Sequence, residues 1–110
     1  MRAGRLRTRI RFERPVEKTD ELGNAYDGWE ALFERWGDLL PQRGREQVEA
    51  GRLESSNLGT LQVRWSADAA ALDASHRAVI DGQHWQIRSI IDPDMRRRTL
   101  EMVVERITGT

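Results

Sequence analysis

The sequence contains no cysteine, a single lysine, three prolines and no long apolar run. The absence of cysteine excludes a disulfide framework, a cysteine-ligated zinc or iron–sulfur site and a thiol nucleophile. No apolar stretch approaches the roughly 18 residues of a membrane-spanning segment. The basic N-terminus has no apolar stretch behind it, so we expect no signal peptide.

What remains is an ordinary globular composition. The 110 residues are 38% hydrophobic and 33% charged, with 18 basic and 18 acidic side chains. A chain of this length predicts one domain, residues 1–110, with a modest core of its own. A net charge of zero argues against a general nucleic-acid binder, because such proteins are usually basic.

The charges are distributed unevenly along the chain. Residues 1–14 carry six arginines and one glutamate, whereas residues 15–38 carry two basic side chains and seven acids. Such blocks suit a surface that meets a complementary surface of a partner. The alternative is that the two blocks pair with each other inside one subunit, and the sequence leaves both possibilities open.

The first strand is indicated by strict alternation of apolar and charged residues from 6 to 13. This period of two predicts one buried face and one basic, solvated face. We expect Pro15 to end the strand. The polar stretch that follows, residues 16–28, is interpreted as a long loop with its turn at residues 21–24.

The middle of the chain is less regular. Residues 36–40 predict a second strand that Pro41 stops, while helix and strand remain alternatives for residues 30–35. Residues 45–55 predict a short helix with too thin an apolar stripe to be stable alone. We therefore expect residues 41–59 to protrude as a loop or helix that needs another surface to order it.

The C-terminal half predicts strands joined by tight turns. Asp81-Gly82 is a preferred pair for a type I′ hairpin turn, and Asp92-Pro93-Asp94-Met95 fits a type I turn. The expected strands are residues 61–65, 76–80, 84–91 and 99–108, with a helical turn or irregular connection at 66–75. The fold predicted is mainly β: a small antiparallel barrel or sandwich of about six strands, with one short helix and long loops. We expect its core to contain Ile10, Phe12, Trp36, Trp65, Ile80, Trp85, Ile87 and Ile90.

No arrangement of residues predicts catalysis. His76 and His84 flank the hairpin turn, but no spacing supplies the further ligands that a metal needs. Asp92 and Asp94 are explained by their turn. Motifs for phosphate binding, dinucleotide binding, zinc proteolysis and a nucleophile elbow do not occur. We expect a non-enzymatic protein without catalytic residues, cofactor or metal.

Short segments in a fixed order carry a resemblance that spans nearly the whole chain. They are the opening stretch of residues 1–16, Asp20-Glu21-Leu22-Gly23-Asn24, Trp29-Glu30, Trp36-Gly37-Asp38-Leu39 with Pro41, Gly44-Arg45-Glu46, Asp81-Gly82, Trp85-Gln86-Ile87, Ile91-Asp92-Pro93-Asp94, Arg96-Arg97-Arg98 and Leu100-Glu101. With these segments the chain resembles the phage head–tail joining proteins, also called head-completion, head-closure or stopper proteins. It departs from the family pattern in residues 47–75.

The resemblance implies a structural role at the neck of a virion. It implies a small β-barrel with a long segment between its second and third strands. Such proteins form a ring, here expected to have six copies, beneath the portal and adaptor rings. The ring closes the channel around packaged double-stranded DNA and offers a platform for the tail terminator or tail tube. The implied location is a virion assembled in the bacterial cytoplasm, from a tailed phage, a prophage or a gene transfer agent, without membrane contact.

Two sets of residues follow as expectations. The resemblance implies a channel-facing segment, for which we name Arg43, Gly44, Arg45, Glu46, Gln47, Glu49 and Arg52. For the surface toward other subunits or partners we name Arg5, Arg7, Arg9, Arg11, Asp20, Glu21, Arg96, Arg97 and Arg98. The rival reading is a barrel that binds single-stranded nucleic acid through the same arginines, with Trp29, Trp36, Trp65 and Trp85 as stacking platforms.

Overall fold

The computed structural model describes residues 7–41 and 57–107, which form six strands and one short helix. The elements are β1 (Thr8–Thr19), β2 (Ala25–Pro41), β3 (Leu58–Arg64), α1 (Ala67–Ala70), β4 (Arg77–Ile80), β5 (Gln83–Ile91) and β6 (Thr99–Arg106). The predicted mainly β class is therefore confirmed. The helix predicted at residues 45–55 lies outside the described residues.

The six strands form one antiparallel sheet that closes on itself in the order β1-β2-β3-β6-β5-β4. Two three-stranded meanders, β1–β3 and β4–β6, are joined edge to edge. Pairing of β3 with β6 makes one junction, and pairing of β1 with β4 through residues 11–13 makes the other. Closure leaves no free edge along the paired part of the barrel.

The core fills the inside of this barrel. Each strand contributes alternate residues because successive side chains point to opposite faces. Two residues of the connection between β3 and β4, Ala69 and Leu72, are buried against one end of the core. The buried cluster consists of Ile10, Phe12, Leu61, Val63, Ala69, Leu72, Ala78, Ile80, Trp85, Ile87, Leu100, Met102 and Val104.

The prediction that Trp36 lies in the core is wrong. Its side chain is 53% exposed, whereas Trp85 is 5% exposed, and Trp65 and Ile90 pack partly buried against the core. The reason lies in the neighbouring Gly37, which faces inward. A Cβ atom there would come within 2.9 Å of Val63 Cγ1. The alternation along β2 then places Trp36 on the outside.

The prediction of a long loop at residues 16–28 is wrong, because a β-hairpin occupies most of this range. β1 does not end at Pro15 but continues to Thr19, and β2 begins at Ala25, so residues 16–28 are mostly strand. The alternatives for residues 30–35 resolve as strand. Pro15 is tolerated because β1 pairs only with β2 beyond Glu13, which leaves one edge without a ladder partner.

The register defines two rims of the barrel. One rim, here called the segment rim, carries Pro41, Asn57, the Asp81-Gly82 turn and the end of β6. The opposite rim, called the arm rim, carries the β1–β2 turn, α1 and the loop between β5 and β6. Within the described ranges, no helix is long and apolar enough to cross a membrane.

Candidate interaction surfaces

A two-stranded arm projects from the arm rim. Residues 14–30 pair only with each other, from Arg14 opposite Glu30 to Thr19 opposite Ala25. Six residues of extended strand correspond to about 20 Å. The arm therefore reaches well beyond the end of the closed barrel, with both of its strand edges unpaired in this structure.

The tip of the arm is a tight, well-bonded turn. Asp20 Oδ1 accepts hydrogen bonds from the backbone N–H groups of Leu22 and Asn24, both at 2.9 Å. These bonds, that from Asn24 foremost, hold the pKa of Asp20 below its usual value. Gly23 adopts φ +84° there, a conformation that favours glycine. Leu22 is left 86% exposed at the outermost point.

An ion cluster joins the base of the arm to the barrel wall. Glu13 is 7% exposed and accepts from Arg77 Nε at 2.8 Å and from Arg11 Nε at 2.9 Å. The Arg77 guanidinium also lies over the ring of Trp29, with its carbon 4.0 Å from the ring centroid. Burial alone would raise the pKa of Glu13, but the two arginines outweigh it and hold that pKa below its usual value.

The two faces of the arm differ in charge pairing. On one face, Arg14 forms a 3.1 Å ion pair with Glu30. On the other face, Glu17 and Asp27 are directly opposite each other in the register. We call this second face, with Pro15 and Trp29 at its base, the acidic face. A shallow groove runs along it.

The loop between β5 and β6 forms a basic projection on the same rim. Asp94 Oδ1 accepts from the Arg96 N–H and Asp92 Oδ2 accepts from the Arg97 N–H, so both carboxylates serve the turn as the sequence predicted. The 3.1 Å bond from Met95 N–H to the Asp92 carbonyl spans the four predicted turn residues. Met95 is 88% exposed beside the arginines. We call residues 95–98 the basic loop.

The segment between β2 and β3 leaves and re-enters the barrel at one place. Pro41 and Gly59 are direct partners in the register, and the Arg106 N–H donates to the Asn57 carbonyl at 2.6 Å. The two ends of the segment are thus fixed side by side on the segment rim. The expected channel-facing residues, Arg43, Gly44, Arg45, Glu46, Gln47, Glu49 and Arg52, lie outside the described residues.

The residues expected at partner surfaces fall in three places. Arg9 and Arg11 lie on the outer face of β1, and Arg7 is exposed immediately before it. Asp20 and Glu21 lie at the arm tip, and Arg96, Arg97 and Arg98 lie in the basic loop. Arg5 lies outside the described residues. Arg9 and Arg11 are already engaged in ion pairs with Glu34 and Glu13. Part of the opposite-charge pairing that the sequence left open therefore occurs inside one subunit.

The ion cluster at the base of the arm was not predicted from the sequence. Glu13 occupies a polar position in a period-two strand, which reads as an ordinary solvent-facing residue. Its burial depends on Arg77, which is 64 positions away in sequence. Only the closure of β1 onto β4 brings the two together, and no local pattern predicts that pairing.

The histidines are used in local structure. His76 Nδ1 lies 2.9 Å from Asp73 Oδ1. The same carboxylate oxygen accepts a hydrogen bond from Ser75 Oγ at 2.5 Å. His84 Nδ1 lies 3.4 Å from an Arg77 nitrogen. In residues 7–41 and 57–107, no three histidine, aspartate or glutamate side chains are grouped to hold a metal ion.

Few aromatic rings are available for stacking. Trp65 and Trp85 pack in or against the core, and the Trp29 ring is covered by Arg77. Trp36 is half-exposed, but Arg9 lies over its ring at 5.3 Å. The expected stacking platforms are thus largely occupied by the chain's own side chains.

The chain is similar to known proteins both in sequence and in fold. The family model described as phage head completion protein matches residues 1–107. None of the curated proteins matches the chain. The fold is similar to the solution structure of protein SF1141 from Shigella flexneri 2a, with a TM-score of 0.69, 22% identity and all of both chains covered. It is also similar to a chain from the virion of a native gene transfer agent particle, with a TM-score of 0.64, 22% identity, and 94% of this chain and 98% of that one covered.

Proposed function

The chain belongs to the family of phage head completion proteins, and we propose that it forms a ring that closes the DNA channel and receives the tail. Membership makes it a structural component of a virion. The ring, its six copies and its stopper role are our proposal. So are its neighbours, the portal-adaptor ring above and the tail terminator or tail tube below.

The observation that carries this proposal is that the two ends of residues 42–56 and the arm lie at opposite ends of the barrel. Pro41 and Gly59 are adjacent partners on the segment rim, so residues 42–56 can enter a channel without any barrel strand moving. A closed sheet makes a rigid support for such a segment. The residues that would line the channel are Arg43, Gly44, Arg45, Glu46, Gln47, Glu49 and Arg52.

The arm rim would carry contacts with protein partners. Its two projections end in the most exposed large apolar side chains of the described residues, Leu22 and Met95. Each is bordered by charges, of one sign on the arm tip and largely the other on the basic loop. Each of these side chains would form the apolar centre of a protein contact, with its charged neighbours at the polar rim.

Single-stranded nucleic-acid binding is the weaker alternative. That reading needs arginines free to contact phosphates and aromatic rings free to stack on bases. Arg9 and Arg11 are held in ion pairs, and two of the four tryptophans pack in or against the core. We find no observation that favours it over the connector.

The stopper role is tested by DNA retention. Tailless particles of the parent phage or gene transfer agent, prepared without this protein, are expected to lose packaged DNA to added nuclease. Adding the purified protein is expected to restore nuclease resistance and then the attachment of purified tails. Particles that keep their DNA equally well without it would contradict the stopper role.

A further inference from the structure

We infer that the acidic face of the arm of one copy binds the basic loop of the next copy, and that this contact builds the ring. The inference rests on the proposed function, because it names the contact between ring subunits. Three features support it: the charges that the fold leaves unpaired among the described residues, their positions around the barrel, and the exposed apolar tips.

The acidic face breaks a local rule of strand pairing. Glu17 and Asp27 are direct cross-strand partners, and directly opposed like charges destabilise a two-stranded ribbon. Within the described residues neither carboxylate has an ion pair or hydrogen bond, although Arg14 and Glu30 pair on the opposite face. A local violation of this kind is expected where a partner supplies the compensation. Two carboxylates side by side are suited to a guanidinium, which donates in a planar fork.

In the part of the chain that the structure describes, the basic loop carries positive charges without ionic partners, which complement the two unpaired carboxylates of the acidic face. Of its three arginines, Arg98 is paired with Asp94, and the Arg97 guanidinium lies over the Trp65 ring. Arg96 has no ionic partner within the described residues, and both Arg96 and Arg97 are exposed. These guanidiniums can therefore reach an acidic partner without breaking an ion pair of their own subunit.

The two surfaces lie on different sides of one subunit and are well placed to meet between subunits. In the closed order, β1 and β2 are separated from β5 and β6 by β3 on one side and by β4 on the other. The arm and the basic loop thus stand on opposite walls of the barrel, at the same rim. Different surfaces on opposite sides of a subunit make a head-to-tail contact, which generates a ring when the rotation closes.

The apolar tips add to this contact. Leu22 ends the arm and Met95 begins the basic loop, and both are more than four-fifths exposed. When the acidic face lies along the loop of the next copy, each tip is brought beside a neighbouring surface and is shielded from water. Charge then sets the register of the contact, while apolar burial stabilises it.

The cysteine-free sequence allows a direct test by disulfide trapping. One full-length variant carries Ala25→Cys, on the acidic face beside Asp27, and a second carries Met95→Cys. The two are mixed in equal amounts and oxidised. The matched control replaces Ala25→Cys by Tyr26→Cys, which is adjacent but lies on the opposite face of the arm.

Random pairing of two chains in equal amounts makes one half of all disulfide-linked dimers mixed. For the Ala25→Cys and Met95→Cys chains, the mixed fraction is expected to exceed one half. In the control mixture it is expected to stay at one half. Adding Glu17→Lys and Asp27→Lys to the first chain is expected to remove the excess. Adding Arg96→Glu and Arg97→Glu to the second chain should then restore it. Random pairing in both mixtures would overturn the inference.

Sedimentation of the unmodified protein, alone and with capsids, separates this result from the proposed function. If the unmodified protein forms rings but the cysteine variants give no excess of mixed disulfide, the proposed contact is contradicted and the connector role remains. An excess of mixed disulfide with a chain that never associates with capsids would support the contact and contradict the connector role.

Discussion

Arg77 on β4 donates a 2.8 Å hydrogen bond to Glu13 on β1, and both side chains are almost buried at the base of the arm. The same guanidinium covers the Trp29 ring, so one side chain connects the arm, the first strand and the fourth. The arm is therefore fixed at its base and free of the barrel beyond it. This is the geometry expected of a rigid projection that positions a contact surface.

Glu13→Gln is expected to lower the free energy of unfolding by about 3 kcal/mol, because it leaves the Arg77 charge nearly buried without its partner. Urea denaturation measures the change. The matched control is Glu30→Gln, which breaks the exposed pair with Arg14 and should cost less than about 1 kcal/mol. Equal costs for the two variants would contradict the role assigned to the cluster.

Glu13 also predicts how stability depends on pH. Its pKa in the folded protein is lowered below the unfolded value of about 4.3. A lowered carboxyl pKa contributes stability above the unfolded value, and this contribution is lost as the pH falls through the folded value. Unfolding free energy should thus decrease below about pH 5, and Glu13→Gln should reduce the steepness of that decrease. An unchanged slope in the variant would show that other carboxyl groups carry the effect.

Two glycines of β2 provide a matched pair of substitutions. A Cβ on Gly37 would meet the Gln62 carbonyl oxygen at 2.7 Å, as well as Ile10 and Val63 in the core. Gly37→Ala is therefore expected to destabilise the protein by about 1–3 kcal/mol through overpacking. A Cβ on Gly28 meets only the Lys18 side chain, which is flexible and can move aside, so Gly28→Ala should be nearly neutral. Thermal unfolding compares the two, and the reverse order would contradict the packing described.

Two tryptophans test the distinction between core and surface. Trp85→Ala removes a buried ring and is expected to cost about 3–5 kcal/mol. Trp36→Ala removes a ring that is half-exposed on the outside of β2, and we expect a loss below about 1.5 kcal/mol, since much of the ring stays in water when the protein is folded. Chemical denaturation of both variants checks the order. Comparable losses would place Trp36 in the core, as the sequence alone had suggested.

The sequence was most informative where local chemistry decides structure. Asp81 and Gly82 both adopt positive φ, as the predicted type I′ turn requires, and strands β4 and β5 flank them. The alternation from 6 to 13 likewise predicted the inward positions of Ile10 and Phe12. These features depend on neighbours in the chain, so the sequence displays them directly.

The failures have non-local causes. Pro15 and the polar residues after it signal a loop, yet they form an arm because two antiparallel segments pair over six residues beyond the barrel. Trp36 reads as core by its size, but the inward position beside it has room only for a glycine. The ion pair between Glu13 and Arg77 depends on barrel closure, which no local pattern reports.

The connector role is tested most directly by adding the protein to tailless, DNA-filled capsids and measuring co-sedimentation together with trypsin cleavage after Arg43, Arg45 and Arg52. Our account predicts that the protein sediments with the capsids and that these three bonds become protected. Failure to sediment, combined with tight and salt-sensitive binding to free oligonucleotide, would contradict it and favour the nucleic-acid-binding alternative.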